Sequence, residues 1–138
     1  MSLQYDPASK SWIHPDFWEL QRFLGKDFNM KWCHAGDEKG HADYDKFGGD
    51  EEFLRNTMVF AFQNIGLMAH GIHRPYLARM LELATDRWGA SVIDVGSGGG
   101  QIGLALHTLG FRVSFADIYS KSLEWLLFRL RERKLDLP

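Results

Sequence analysis

With 138 residues, 45% hydrophobic and 25% charged, the chain suits one globular domain with a real core, not a fibrous or disordered segment. A formal net charge of −2 gives no basic surface for nucleic acid, and no apolar run is long enough for a membrane span or a signal peptide. The single cysteine, Cys33, excludes an internal disulfide framework, so a reducing, cytoplasmic setting is expected.

In chain order, residues 1–13 read as an irregular lead-in. His14-Pro15-Asp16 opens a first helix, since proline suits the first helical position and an acid suits the positive first turn. Phe17, Leu20 and Leu24 form its apolar stripe and Gly25 stops it. Residues 25–49 carry Gly36, Gly40, Gly48 and Gly49 among mixed charges without clean periodicity, which suggests a lid, a mobile segment or a short hidden element. Asp50, Glu51 and Glu52 start a second helix, which Phe53, Met58, Phe60, Ala61 and Ile65 continue to about His70-Gly71. Pro75 opens a third, with Leu77, Met80, Leu81, Ala84 and Trp88 at helical spacing before Gly89. These aromatic and methionine stripes read as core packing.

From Ser91 the period changes. Val92 to Val95 is a short strand, Gln101 to Leu109 a helix capped by Gly110, and Arg112 to Asp117 a second strand. Ser120 caps a last helix bearing Leu123, Leu126, Leu127 and Leu130, and its basic tail of Arg129, Arg131, Arg133 and Lys134 suits the negative helix end. Strand–helix–strand–helix at this spacing predicts two parallel strands, hence an α/β chain with a helical N-terminal cap over 1–72 and a partial parallel-sheet domain over 73–138.

The chemistry concentrates between the strand at Val92 and the helix at Gln101. Glycines at alternate positions make a turn free of side chains, whose backbone N–H groups can approach a ligand at a helix N-terminus. Two registers compete. Gly98-x-Gly100-x-x-Gly103 matches the dinucleotide fingerprint, whereas Asp94-x-Gly96-x-Gly98-x-Gly100 fills four positions and adds a carboxylate at the strand end. That carboxylate would repel a pyrophosphate and attract a cation.

The second register resembles the first motif of the class I S-adenosylmethionine-dependent methyltransferases, over residues 91–137. The resemblance implies a Rossmann-like fold, S-adenosylmethionine as cofactor and S-adenosylhomocysteine as product. Gly96, Gly98 and Gly100 would then line the methionine portion, with Ser97 and Gly99 at the variable positions and Asp94 near the amino group. Asp117, at the tip of the second strand, would hold the ribose hydroxyls, and Ile118 would pack on the adenine. The acceptor is expected to be a small molecule; no catalytic residue is singled out, because displacement at a sulfonium methyl needs mainly positioning and desolvation.

The sheet is incomplete against that family, since Leu135-Asp136-Leu137-Pro138 falls where a third strand should begin. Truncation is therefore expected, with self-association through the exposed sheet edge as a consequence. Two other readings stay open: a non-catalytic S-adenosylmethionine-binding module completed by a partner chain, and an NAD-binding oxidoreductase fragment. Lesser constellations carry less. Asp43-x-Asp45-x-x-Gly48 starts like a calcium loop, but Phe47 and Leu54 fall where ligands are needed. Cys33, His34, Asp37 and His41 lack zinc-ligand spacing and read as a polar loop. His70 and His73 read as helix-end histidines before general bases, and Asn64 and Tyr76 join them as minor candidates.

Overall fold

The computed structural model describes residues 4–6, 11–13, 16–33, 35–69, 75, 78–80, 82, 87 and 89–136. It begins with an antiparallel pair, β1 (Gln4–Asp6) and β2 (Ser11–Ile13), in the register Gln4↔Ile13, Tyr5↔Trp12, Asp6↔Ser11. This corrects the irregular lead-in. Tyr5 and Trp12 are strand-favouring types, but three residues are too few for alternation to show in the sequence.

Helix α1 (Asp16–Leu24) buries Phe17 and Leu20 as expected, and Gly25 ends it in the left-handed region at φ 56°. Two 3-10 turns follow, Gly25–Asp27 and Met30–Cys33. Of the three readings open for residues 25–49, the hidden element is the one present: a regular helix, α2 (Gly36–Phe47). Its apolar stripe is hidden because Gly40 and buried Asp43 occupy inward positions: Gly40 lies against Val59, and Asp43 pairs with Lys39 at 2.7 Å. Asp37 and Glu38 in the first turn, Lys46 in the last and left-handed Gly48 at the cap (φ 74°) were its legible signals.

The single long helix expected after Asp50 is two, α3 (Asp50–Asn56) and α4 (Val59–Ala69). Thr57 breaks it. Its backbone is extended (ψ 146°), and its hydroxyl donates to Asp43 Oδ2 at 2.7 Å while accepting from Val59 N–H at 3.1 Å. A side chain that competes for backbone hydrogen bonds in this way favours a cap over a helix interior. The third helix expected from Pro75 to Trp88 lies largely outside the described residues; Pro75, Ala78, Arg79, Met80 and Glu82 have helical backbone.

The C-terminal part follows expectation closely. Strands β3 (Ser91–Val95) and β4 (Arg112–Ala116) pair in parallel from Ser91↔Arg112 to Val95↔Ala116, linked through α5 (Gln101–Thr108). Ser120 Oγ accepts from Leu123 N–H at 3.2 Å and caps α6 (Lys121–Glu132). One face of the sheet is covered: Leu106, Phe111 and Val113 form a core with Val92, Ile102 and Phe115. The opposite face is open, with Ile93 66% and Val95 78% exposed.

A second core joins Phe17, Leu20, Cys33, Met58, Phe62 and Ile65 to Trp125 of α6, so the last helix packs into the N-terminal helices. At Gly66 a Cβ would overlap the Cys33 carbonyl, which is what lets α4 reach the Met30–Cys33 turn. No helix among the described residues is long and apolar enough to cross a membrane.

Candidate functional site

The site begins where β3 leaves the sheet. Gly96 N–H donates to Ala116 O at 2.8 Å, Ser97 N–H reaches the same oxygen at 3.4 Å, and Gly100 N–H closes a turn on Ser97 O at 2.7 Å before α5 starts. Gly96, Gly98 and Gly100 have φ of 68°, 50° and 72°, a left-handed region that an L side chain resists. The glycines nevertheless serve two ends. A Cβ at Gly99 would overlap the Trp125 ring, one at Gly100 would meet Leu126 Cδ1 at 2.5 Å, and one at Gly103 would overlap Phe115. Those three positions are bare because protein packs against them. At Gly96 and Gly98 a Cβ would meet nothing within 4 Å, so the bare backbone there faces open space.

The two acids singled out from the sequence converge on this loop. Asp94 Oδ2 accepts from Gly103 N–H at 2.9 Å, in the first turn of α5. Asp117, just past β4, accepts from Gly98 N–H with Oδ2 and from Ile118 N–H with Oδ1 at 2.7 Å. Burial raises the Asp94 carboxyl above the usual carboxylate range; the Gly103 N–H opposes this and the Asp117 charge adds to it. Neither acid has an ion-pair partner among the described residues. Ile118 and Tyr119 lie exposed beyond the strand tip.

Sequence reasoning missed the floor. Trp125 is fully buried beneath Gly99, and the Arg129 guanidinium lies 4.7 Å from its ring centroid. Arg129 is 1% exposed: Nη1 donates to Gly99 O, Nε to Glu19 Oε2 at 2.8 Å, and Nη2 pairs with Asp16 Oδ2 at 2.7 Å. Arg133 closes the network on the same acids, at 2.7 Å to Glu19 Oε1 and 3.0 Å to Asp16 Oδ1. Burial pushes the Glu19 carboxyl up, but hydrogen bonds and charge from Arg133 and Arg129 outweigh it and hold it below the usual range. Of the basic tail expected to suit the negative helix end, Arg129 and Arg133 turn inward to pair with the acids of α1. The helical spacing of Trp125 and Arg129 was the only available signal. Ser97 Oγ, Gln101 Nε2 and Trp125 Nε1 are also buried around the loop, without hydrogen-bond partners among the described residues.

The remaining candidates stay apart from the loop. Asp37 and His41 line a hollow of about 490 Å³ with Phe53, Phe60 and Gln63. Another, of about 330 Å³, lies between Met80, Arg87, Val92, Leu106 and Phe111. Asp43 and Asp45 are on a helix, so no calcium loop forms; Cys33 is buried, its thiol pushed up to about 12 by burial. No group of three or more His, Cys, Asp or Glu among the described residues could hold a metal ion. Asn64 is half-buried on α4; His34, His70, His73 and Tyr76 lie outside the described residues. In comparison with known proteins, no family model, no curated protein and no solved structure matches the chain.

Proposed function

We propose that the chain binds S-adenosylmethionine at the Gly96–Gly100 loop and serves methyl transfer to a small-molecule acceptor, in a reducing, cytoplasmic setting. One observation carries this reading. Both carboxylates of the site hold backbone amides of the loop and its helix, neither is paired with a cation among the described residues, and Asp94 is raised above its usual range. Two carboxylates beside bare backbone, without a paired cation among the described residues, favour a ligand bearing ammonium and sulfonium groups. They disfavour phosphate, and the Gly103 amide that an anion at the α5 N-terminus would use is already taken by Asp94.

The roles follow from position. Gly96 and Gly98 offer backbone to the methionine portion where a side chain would intrude. Ser97 fills the turn between them, while Gly99 and Gly100 let Trp125 and Leu126 support it from below. Asp94 faces the amino group, Asp117 accepts from the ribose hydroxyls, and exposed Ile118 covers the adenine. When bound, S-adenosylmethionine supplies an electrophilic methyl group: the acceptor–carbon bond forms as the sulfur–carbon bond breaks, and the electron pair returns to sulfur to leave S-adenosylhomocysteine. The residues here act by binding, orientation and exclusion of water.

Gly103 favours a second reading. Its bare packing on Phe115 is the role of the third glycine in the dinucleotide fingerprint, which suits an NAD-dependent oxidoreductase. Calorimetry with S-adenosylmethionine, S-adenosylhomocysteine and NAD side by side separates the two. Binding of both adenosyl ligands tighter than NAD is expected; tighter NAD binding, or no adenosyl binding, overturns the proposal. Binding without turnover of any acceptor would leave a non-catalytic module, completed by a partner or by a second copy at the open sheet edge.

A further inference from the structure

We propose that Arg129 is a positioning residue for the glycine loop, and that helix α1 sets the loop's conformation through it. Residues 98–100 have no side chains with which to anchor themselves, and Gly98 and Gly100 hold left-handed backbone with the largest conformational entropy to lose. Beyond the Gly98 N–H bond to Asp117 and the Gly100 N–H bond to Ser97 O, the segment is tethered from below by Arg129 Nη1, which holds the Gly99 carbonyl. Arg129 is in turn oriented by α1: Glu19 takes Nε, Asp16 takes Nη2, and the Trp125 ring lies under the guanidinium. A planar fork meets these demands at once, which a lysine ammonium on a flexible stem cannot.

Arg133 provides an internal control. It neutralises the same two acids, but none of its hydrogen bonds goes to the loop. Both arginines, one helical turn apart, balance the acids, but only Arg129 tethers the loop. A segment 110 residues away in sequence from Arg129 thus governs how rigidly the loop backbone at Gly98–Gly100 is held. The tether holds whichever ligand the loop takes; its consequence for affinity rests on the S-adenosylmethionine reading.

The test compares Arg129→Lys with Arg133→Lys in the full chain, by amide hydrogen exchange without ligand and by calorimetric titration with S-adenosylhomocysteine. Arg129→Lys is expected to speed exchange at Gly98 and Gly100 about tenfold, to leave the β3–β4 ladder amides unchanged and to weaken the ligand by a similar factor, while Arg133→Lys moves none of these. If Arg129→Lys does not fold, Arg129→Met with Asp16→Asn removes one charge of each sign and carries the same expectation. Equal acceleration in both arginine variants, or none at the loop in a folded Arg129 variant, overturns the proposal. Faster loop exchange in a protein whose parent binds no S-adenosylhomocysteine supports the tether and removes the methyl-donor reading.

Discussion

Two pairs of carboxylates, one buried and one half-buried, are treated in opposite ways in this molecule. Asp16 and Glu19 on α1 meet Arg129 and Arg133, two negative and two positive charges among the described residues. Asp94 and Asp117 at the strand tips meet only backbone N–H groups, and no cation pairs with them among the described residues. The first arrangement balances its own charge and serves the fold. The second leaves charge uncompensated beside bare backbone, at the C-terminal edge of a parallel sheet where α/β folds place their ligands. The contrast is what supports the proposal of a positively charged ligand at the second pair.

The largest expected effect comes from breaking the balanced pair. Arg129→Ala removes the buried cation that Asp16 and Glu19 share and should cost about 3–5 kcal/mol of stability by urea unfolding, as removal of one partner from a buried ion network does. At the open pair, loss should fall on binding instead. Gly98→Val should abolish S-adenosylmethionine binding, since it forces a branched side chain onto left-handed backbone facing the ligand, and the circular dichroism of the folded chain should persist. Asp117→Ala should weaken the same ligand by about 1.5–3 kcal/mol in calorimetry, the worth of hydrogen bonds to a charged group.

Glu19 and Asp94 should respond to pH with opposite sign. Glu19 titrates lower in the folded state than in the unfolded chain, so its contribution to stability is full at neutral pH and is lost as pH falls through its folded value. Asp94 titrates higher when folded, so its ionised form costs stability, and that cost is relieved as pH falls through the raised value. A cationic ligand favours the ionised form. Affinity for S-adenosylmethionine should therefore decline on acidification at a pH where the fold is still intact, and Asp94→Asn should abolish that decline. The smallest effect is a control on the surface: Glu38→Gln, which breaks the exposed 2.6 Å pair with Lys31, should change stability by less than about 0.5 kcal/mol.

The C-terminal part was legible because its signals are local. Short apolar runs at Val92 and Arg112, glycines between strand and helix, and Ser120 as a cap each act within a few residues, and strands and helices appear where those signals lie. The N-terminal part was less legible because long-range contacts decide it. Helix α2 turns Gly40 and Asp43 inward, which no hydrophobic periodicity reveals, and their partners Val59 and Thr57 lie on the next helices. Thr57 reads as one more residue of a helical run until Asp43 accepts its hydroxyl proton and the chain breaks.

At the candidate site the division is the same. Residue order alone singled out Asp94, the Gly96–Gly100 turn, Asp117 and Ile118 as candidates, because a carboxylate at a strand end and glycine in a tight turn are features of backbone geometry and charge. Tertiary structure alone decided which glycines face open space and which face Trp125, Leu126 and Phe115, and it alone drew Arg129 from the basic helix end into the loop's floor. The physical reason is that backbone conformation and local charge are properties of neighbouring residues. Compensation of a buried charge depends on groups that only folding brings within a few ångströms.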